Sequence, residues 1–269
     1  MSFANLPGWG KLSASFFRGK RSGLKMRLIA WNIRAGGGSR VAHIAQALSA
    51  WQGDVLVLSE FRSTAASQAL ADSLFKLGYL FQVQTCDQVA HGRNALLIAA
   101  RTPLRKVHLR RYPTEPGRWC AVRLDNGVFV GGVHVPNQHT GRKPQFHDSL
   151  LDLMQRWRGP AIIAGDTNSG RQGEDEETPV FNRRTTQWFD HIHAAGWHDC
   201  FRLVHGEKRE FTWYSPGYDN GFRLDQAFVS ASLKADVQHC AHLWAEHPDQ
   251  PNRRDGVSDH AALVLDVAV

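Results

Sequence analysis

The sequence predicts an α/β fold built in layers, with mixed sheets. Three observations carry this. Short apolar runs of strand length alternate with segments whose apolar residues recur at helical spacing. Asp125-Asn126-Gly127 separates two apolar runs, a hairpin signal that a purely parallel sheet would not contain. No run of about 18 apolar residues occurs, so no segment qualifies as a membrane-spanning helix.

Taken in order, residues 26–33 read as a strand ending near Asn32, and Gly36 to Gly38 as a flexible turn. Residues 39–51 carry Val41, Ile44, Ala45, Leu48 and Trp51 at helical spacing, with Ser39 as the expected cap. Residues 54–60 form a buried strand ending at Glu60. A helix begins at Ser63, presents Leu70, Leu74 and Leu77 on one face, and stops at Gly78. Residues 79–84 and 94–100 are further strands. Trp119 to Leu124 and Val128 to Val135 make the hairpin, whose second arm ends at His134. A helix runs from about Gln145 to Arg158, and Gly159 stops it.

Pro160 to Ala164 then lead a buried strand into Gly165-Asp166-Thr167-Asn168. Gly165 would let the chain turn sharply. In extended backbone, Asp166 and Asn168 would share one side. Residues 171–184 are polar and charged, as in a surface loop. A helix near Gln187–Ala195 follows, then strands at 211–214 and 224–230. The chain closes on Ser258-Asp259-His260 and a last strand, AALVLDV. With no repeat and no evident linker, residues 26–269 are expected to form a single domain.

Among 269 residues the net charge is +7, and Lys11, Arg18, Lys20, Arg21 and Lys25 supply five of it. Residues 1–25 contain no acid and are expected to form a basic flexible arm. They lack the apolar stretch of a secretory signal. The remainder is mildly basic, which suits a polyanionic substrate. The four cysteines are widely spaced and read as reduced thiols, not as a zinc site or a disulfide framework. A cytoplasmic monomer is expected.

The chemistry lies at strand ends. Four apolar runs finish in Asn32, Glu60, His134 and Asp166, and Asp259 and His260 precede a fifth. If the last strand is antiparallel to the others, these groups meet at one edge. Carboxylates and amide oxygens, with few imidazoles and no thiolate, select a hard cation such as Mg²⁺, with Mn²⁺ as a substitute. A weakly held Mg²⁺ beside a His–Asp pair implies phosphoester chemistry.

WNI at 31–33, LSE at 58–60, HVPN at 134–137, GDTN at 165–168, FRLD at 222–225 and SDH at 258–260 occur in that order. This set resembles the endonuclease/exonuclease/phosphatase superfamily, and most closely its exonuclease III and abasic-site endonuclease branch. The resemblance implies a four-layer sandwich of two mixed β-sheets flanked by helices. It implies that Glu60 and Asn32 hold Mg²⁺, with help from Asp259. Asp166 and Asn168 would handle the attacking water. His260, held by Asp225, would contact the scissile phosphate, and His134 would join the catalytic set.

Asn137, Arg62, Arg93 and Arg223 would contact a DNA substrate, and Trp213, Phe222 and Leu224 would form a sugar pocket or, on the alternative reading, pack in the core. His134 stands where the branch usually has Tyr, and Arg34 where some members carry an acid. The expected activity is Mg²⁺-dependent hydrolysis of the DNA backbone, as an abasic-site endonuclease, a 3′–5′ exonuclease or a less specific DNase. A phosphatase or phosphodiesterase acting on a small phosphoester is the alternative. No membrane-inserting apolar hairpin is evident.

Overall fold

The structure, a computed structural model, describes residues 25–250 and 253–269. The expected basic arm lies outside the described residues except for Lys25. That residue opens the first strand and pairs with Asp266 at 2.7 Å.

The strands fall into two six-stranded sheets. The first contains Lys25–Asn32 (β1), Val55–Arg62 (β2), Phe81–Gln84 (β3), Asn94–Ala100 (β4), Val237–Leu243 (β13) and Ala262–Ala268 (β14), in the order β13-β14-β1-β2-β4-β3. The second contains Leu104–Lys106 (β5), Trp119–Leu124 (β6), Phe129–His134 (β7), Ala161–Asp166 (β8), Trp197–Asp199 (β9) and Asp225–Ser230 (β12), in the order β5-β6-β7-β8-β12-β9. Trp213–Tyr214 (β10) and Gly221–Phe222 (β11) form a small separate hairpin. Both large sheets are mixed: β1 runs parallel to β2 and β7 to β8, while β14 is antiparallel to β1 and β12 to β8.

Alternation along each strand builds the layers. Leu28 and Ala30 of β1 join Val57, Ile98, Val130, Ile162, Ala164 and Leu265 in the core between the sheets. Ile29 and Trp31, on the opposite face, pack with Ile44 and Leu48 of Val41–Trp51 (α1) and Leu70 and Leu74 of Ala65–Lys76 (α2). On the far side, Phe129, Ile163 and Phe228 pack with Leu150 and Met154 of Lys143–Arg156 (α3) and with Phe189 and Ile192 of Arg183–Ala194 (α4). Helices, sheet, sheet and helices therefore make four layers. A short helix, Cys200–His205 (α5), contributes Cys200 and Phe201 to the core between the sheets. Strands buried on both faces explain why the sequence shows continuous apolar runs instead of strict alternation.

Several local expectations are corrected. Ser39 does not cap α1; it lies in a 3-10 turn, and Arg40 occupies the cap position without a side-chain bond. The second helix starts at Ala65, capped by Thr64, whose hydroxyl accepts the Ser67 N–H at 3.3 Å. Residues 171–184 are not simply a surface loop, because Asp175 and Glu176 are fully buried within them. Gly165 does not turn the chain. It sits within β8, where a Cβ would lie 2.0 Å from the Val133 carbonyl oxygen, so only glycine allows β7 and β8 to approach this closely. The four cysteines are free thiols, and no helix among the described residues is long and apolar enough to cross a membrane.

Candidate active site

Strand direction brings the predicted residues together. β7 and β8 run parallel and end side by side, with His134 paired to Asp166. β12 runs the other way, so its first residue, Asp225, also pairs with Asp166. On the other sheet, β1 and β2 run parallel and deliver Asn32 and Glu60 to their C-terminal ends. β14 is antiparallel to β1, so Ser258, Asp259 and His260 precede it at that same end. Two hydrogen bonds tie them in: Ser258 Oγ donates to the Asn32 carbonyl at 2.6 Å, and Trp31 Nε1 to the His260 carbonyl at 2.9 Å.

Asp166 is the centre. Its Oδ2 accepts from Asn32 Nδ2 at 3.0 Å and from Asn168 Nδ2 at 3.3 Å, and its Oδ1 accepts the Asn168 N–H at 2.8 Å. Asn168 is not extended, as its spacing had suggested. Its φ of 46° folds it back over Asp166, and its carboxamide also donates to the Val135 carbonyl at 2.9 Å. Burial raises the Asp166 carboxyl to about 6; the His260 charge opposes this and the Asp225 charge adds to it. A carboxyl with that value can accept a proton near neutral pH.

His260 has the opposite character. Burial alone would lower its imidazole, but Asp225 Oδ2, 2.8 Å from Nδ1, and the neighbouring Asp166 outweigh burial and raise it to about 10. The ring is an imidazolium at neutral pH, with Nδ1 committed to Asp225. His134 is neutral, held well below its ordinary value by burial and by the charges of Arg118, His260 and Arg62. Its Nε2 lies 3.7 Å from Asp166 Oδ2, beyond hydrogen-bond distance. Asp225 Oδ1 and His134 Nδ1 are buried with no protein partner.

Glu60 is set at a bulge in β2, with φ 58°. Strained non-glycine backbone at a cluster of reactive groups marks a site where geometry is specified at a cost. Residues 34–38 all have positive φ, and this loop turns its N–H groups inward. Ala35 N–H donates to Glu60 Oε2 at 2.6 Å and Arg34 N–H to Asn32 Oδ1 at 3.0 Å. Both side chains are thus oriented while each keeps oxygen lone pairs free.

Among the described residues no group of three His, Cys, Asp or Glu could enclose a metal. The available donors are the oxygens of Glu60, Asn32 and Asp259. Such a sparse, all-oxygen set fits a hard divalent ion that keeps waters and takes phosphate oxygens as ligands. Asp259 is a third exposed; its Oδ2 accepts from Trp213 Nε1 at 3.4 Å, and Arg34 Nε lies 3.9 Å from its Oδ1.

The strand edge thus gathers a buried carboxyl, a His–Asp pair and a sparse set of oxygen donors. Residues 29–260 match the model of the Endonuclease/Exonuclease/phosphatase family. The chain belongs to this family. Relatives include an exodeoxyribonuclease of Bacillus subtilis (strain 168), 28% identical over 144 residues, covering 46% of this chain and 57% of that protein. An exodeoxyribonuclease of Streptococcus pneumoniae serotype 4 is 26% identical over 174 residues, covering 56% and 59% respectively. The chain thus matches less than two thirds of the length of these relatives. Among solved structures, a 3′ phosphatase from Neisseria bound to a product DNA hairpin superposes with TM-score 0.76 at 22% identity, over 91% of this chain and 100% of that one. An AP endonuclease from Archaeoglobus fulgidus gives 0.75 at 19%, with the same coverage. At these identities the structural likeness speaks for the fold.

The expected substrate contacts divide in this family member. Arg62 and Arg93 line a groove of about 710 Å³ with Asn94, Glu115, Arg118 and Arg142. Asn137 is exposed on the loop just after β7. Arg223 is corrected: it is 1% exposed, with Nε 2.8 Å from Asp175 and Nη2 2.7 Å from Asp199, so its charge is spent inside the fold. Phe222 and Leu224 are both buried. Phe222 packs on Phe181 with ring centroids 5.4 Å apart, and the Leu224 carbonyl accepts from the Thr167 N–H. Trp213 alone of the three keeps surface at the site, 6.2 Å from the His260 ring.

Sequence reasoning missed Arg118. The signal was available: it precedes the antiparallel partner of β7, so its carbonyl accepts the His134 N–H at 3.0 Å. It missed Lys143 as well. That ammonium donates to the Asn168 carbonyl; burial lowers it to about 8, against the pull of Asp166.

Proposed function

We propose that the chain is a Mg²⁺-dependent phosphodiesterase that hydrolyses the DNA backbone. The observation that carries this is the arrangement at one strand edge: an imidazole whose Nδ1 lies 2.8 Å from Asp225, beside the buried Asp166 carboxyl held by the Asn32 carboxamide and the Asn168 N–H. One group can stabilise negative charge on a phosphate oxygen while the other takes a proton from the nucleophile.

In this reading Asp166 accepts a proton from the attacking water, which the Asn168 carboxamide orients. His260 presents Nε2–H to a non-bridging oxygen of the scissile phosphate, and Asp225 keeps the ring charged and aimed. Neutral His134 adds no competing positive charge beside Asp166 and can donate or accept one hydrogen bond. Glu60 and Asn32, with Asp259 at the rim, would hold Mg²⁺ or Mn²⁺, which when bound stabilises the charge of the transition state and of the leaving oxygen. In-line attack leaves a 3′-hydroxyl and a 5′-phosphate.

DNA is favoured over a small phosphoester by the groove beside the site. It carries four guanidiniums, Arg62, Arg93, Arg118 and Arg142, against one carboxylate, Glu115, which already pairs with Arg142 at 2.6 Å. A surplus of arginine along an open groove suits a chain of phosphates. The relatives named exodeoxyribonucleases and the neighbour bound to a DNA hairpin support the same substrate class. A cytoplasmic monomer that does not act on membranes fits this reading.

The test is a substrate panel with Mg²⁺ or Mn²⁺: abasic duplex, undamaged duplex, single-stranded DNA, RNA and a small phosphomonoester. Cleavage of at least one DNA, with 5′-phosphate products and abolition by EDTA, is the expected result. Turnover of the phosphomonoester alone would assign the site to small substrates instead.

A further inference from the structure

α3 reaches the loop that carries Asn168 through two side chains one helical turn apart. Lys143, at the start of the helix, donates to the Asn168 carbonyl oxygen. His147, four residues on and therefore on the same face, lies with Nε2 3.0 Å from Ser169 Oγ. Its ring is stacked on Trp188 of α4, with centroids 3.8 Å apart and planes at 8°. Burial holds this imidazole down to about 3, with Lys143 and Arg184 acting in the same direction, so it is a neutral, fixed ring.

Lys143 has no good stability reason to be there. A cation in the first turn opposes the helix dipole. A half-buried ammonium gives up solvation for a backbone carbonyl. Lys143 contacts a strained residue, and His147 the residue after it: Asn168 stands at φ 46°, a conformation that costs on the order of 1–3 kcal/mol and persists only when its surroundings impose it. From that conformation alone the Asn168 N–H reaches Asp166 Oδ1 while its carboxamide reaches Val135 O and Asp166 Oδ2.

We propose that Lys143 and His147 are positioning residues that clamp residues 168–169, holding Asn168 left-handed so that it fixes the direction of the Asp166 carboxylate. Their catalytic consequence rests on the phosphodiesterase reading. The clamp acts on the geometry of the nucleophile side, not on substrate binding, and this separates it from a phosphate-contacting lysine.

The experiment compares wild type, Lys143→Met and Ser169→Ala, the last removing the hydroxyl that meets His147 while leaving the Trp188 stack intact. With DNA and Mg²⁺, Lys143→Met is expected to lower kcat on the order of 10- to 100-fold with KM within about threefold of wild type, and Ser169→Ala to act in the same direction more weakly. Unchanged kcat, or a raised KM at constant kcat, overturns the clamp. Crystal structures of the same variants give an arm independent of activity. Asn168 leaving the left-handed region, or losing its bond to Val135 O, supports the clamp. An unchanged loop in both variants contradicts it. A wild-type protein that cleaves no phosphoester would sink the phosphodiesterase reading, and the crystallographic arm would still decide the clamp.

Discussion

Asp166 and Asp175 lie nine residues apart in sequence, both are fully buried, and they have opposite fates. Burial pushes both carboxyls up. At Asp175 the push is overcome: Arg223 Nε donates to it at 2.8 Å, the Arg171 N–H donates at 2.8 Å, and Arg202 adds a further ion pair, so its carboxyl stays below the ordinary range. At Asp166 the partners are amide donors and a shared imidazolium, and the carboxyl rises to about 6. Burial therefore does not decide what a carboxylate is for. The number of cations committed to it does. One Asp is tied into the fold by its cations, and the other is the one the proposed mechanism uses for proton transfer.

Replacing Asp166 with Asn should reduce DNA cleavage about a thousandfold or more while leaving the urea midpoint close to wild type, measured by nicking assays and urea titration. Comparable activity in the variant would remove Asp166 from the mechanism. Arg223→Met should do the reverse. It leaves the buried Asp175 and the partly exposed Asp199 without Arg223, and a loss of about 3–5 kcal/mol of unfolding free energy is expected. A stable Arg223→Met protein with impaired DNA binding would mean that Arg223 faces substrate after all.

A smaller effect comes from acid. The Asp175 carboxyl is lower in the folded than in the unfolded chain, so its contribution to stability is fully present above its ordinary value of 3.8 and is lost as pH falls below that. Denaturation of wild type should steepen below about pH 4, and Asp175→Asn should show a flatter dependence there. Equal pH slopes would deny Asp175 that role. Smallest of all, Arg93→Ala should weaken DNA binding uniformly across sequences and lower the salt slope by about one unit. An unchanged slope would place DNA elsewhere than in the arginine groove.

What the sequence made legible follows from the same physics. Asn32, Glu60, His134 and Asp166 could be found because each lies at or within two residues of the end of a strand buried on both faces, and strand ends are local features of the chain. Arg223 could not be separated from the exposed arginines. Its partners, Asp175 and Asp199, lie 48 and 24 residues away, and nothing local says that a basic residue will be enclosed. Phe222 and Leu224 were ambiguous for a similar reason, since an aromatic and an aliphatic residue beside a site read equally as pocket wall and as core. The Asp166–Asn168 pair was found for the wrong reason. Spacing suggested extended backbone, but a left-handed residue brings them together, and Lys143, which touches that residue, gives no sequence signal of its own. The four-layer arrangement came from the ordered motifs, whereas apolar periodicity alone reached only layered mixed sheets.

The central claim is that Asp166 and His260 act as a proton acceptor and a charged donor at one phosphodiester. Its most direct test is cleavage of an end-labelled DNA duplex, with and without an abasic site, by wild type, Asp166→Asn and His260→Gln in Mg²⁺. The account predicts cleavage by wild type to 3′-hydroxyl and 5′-phosphate ends and a loss of about a thousandfold or more in each variant. Cleavage at wild-type rate by either variant would contradict it.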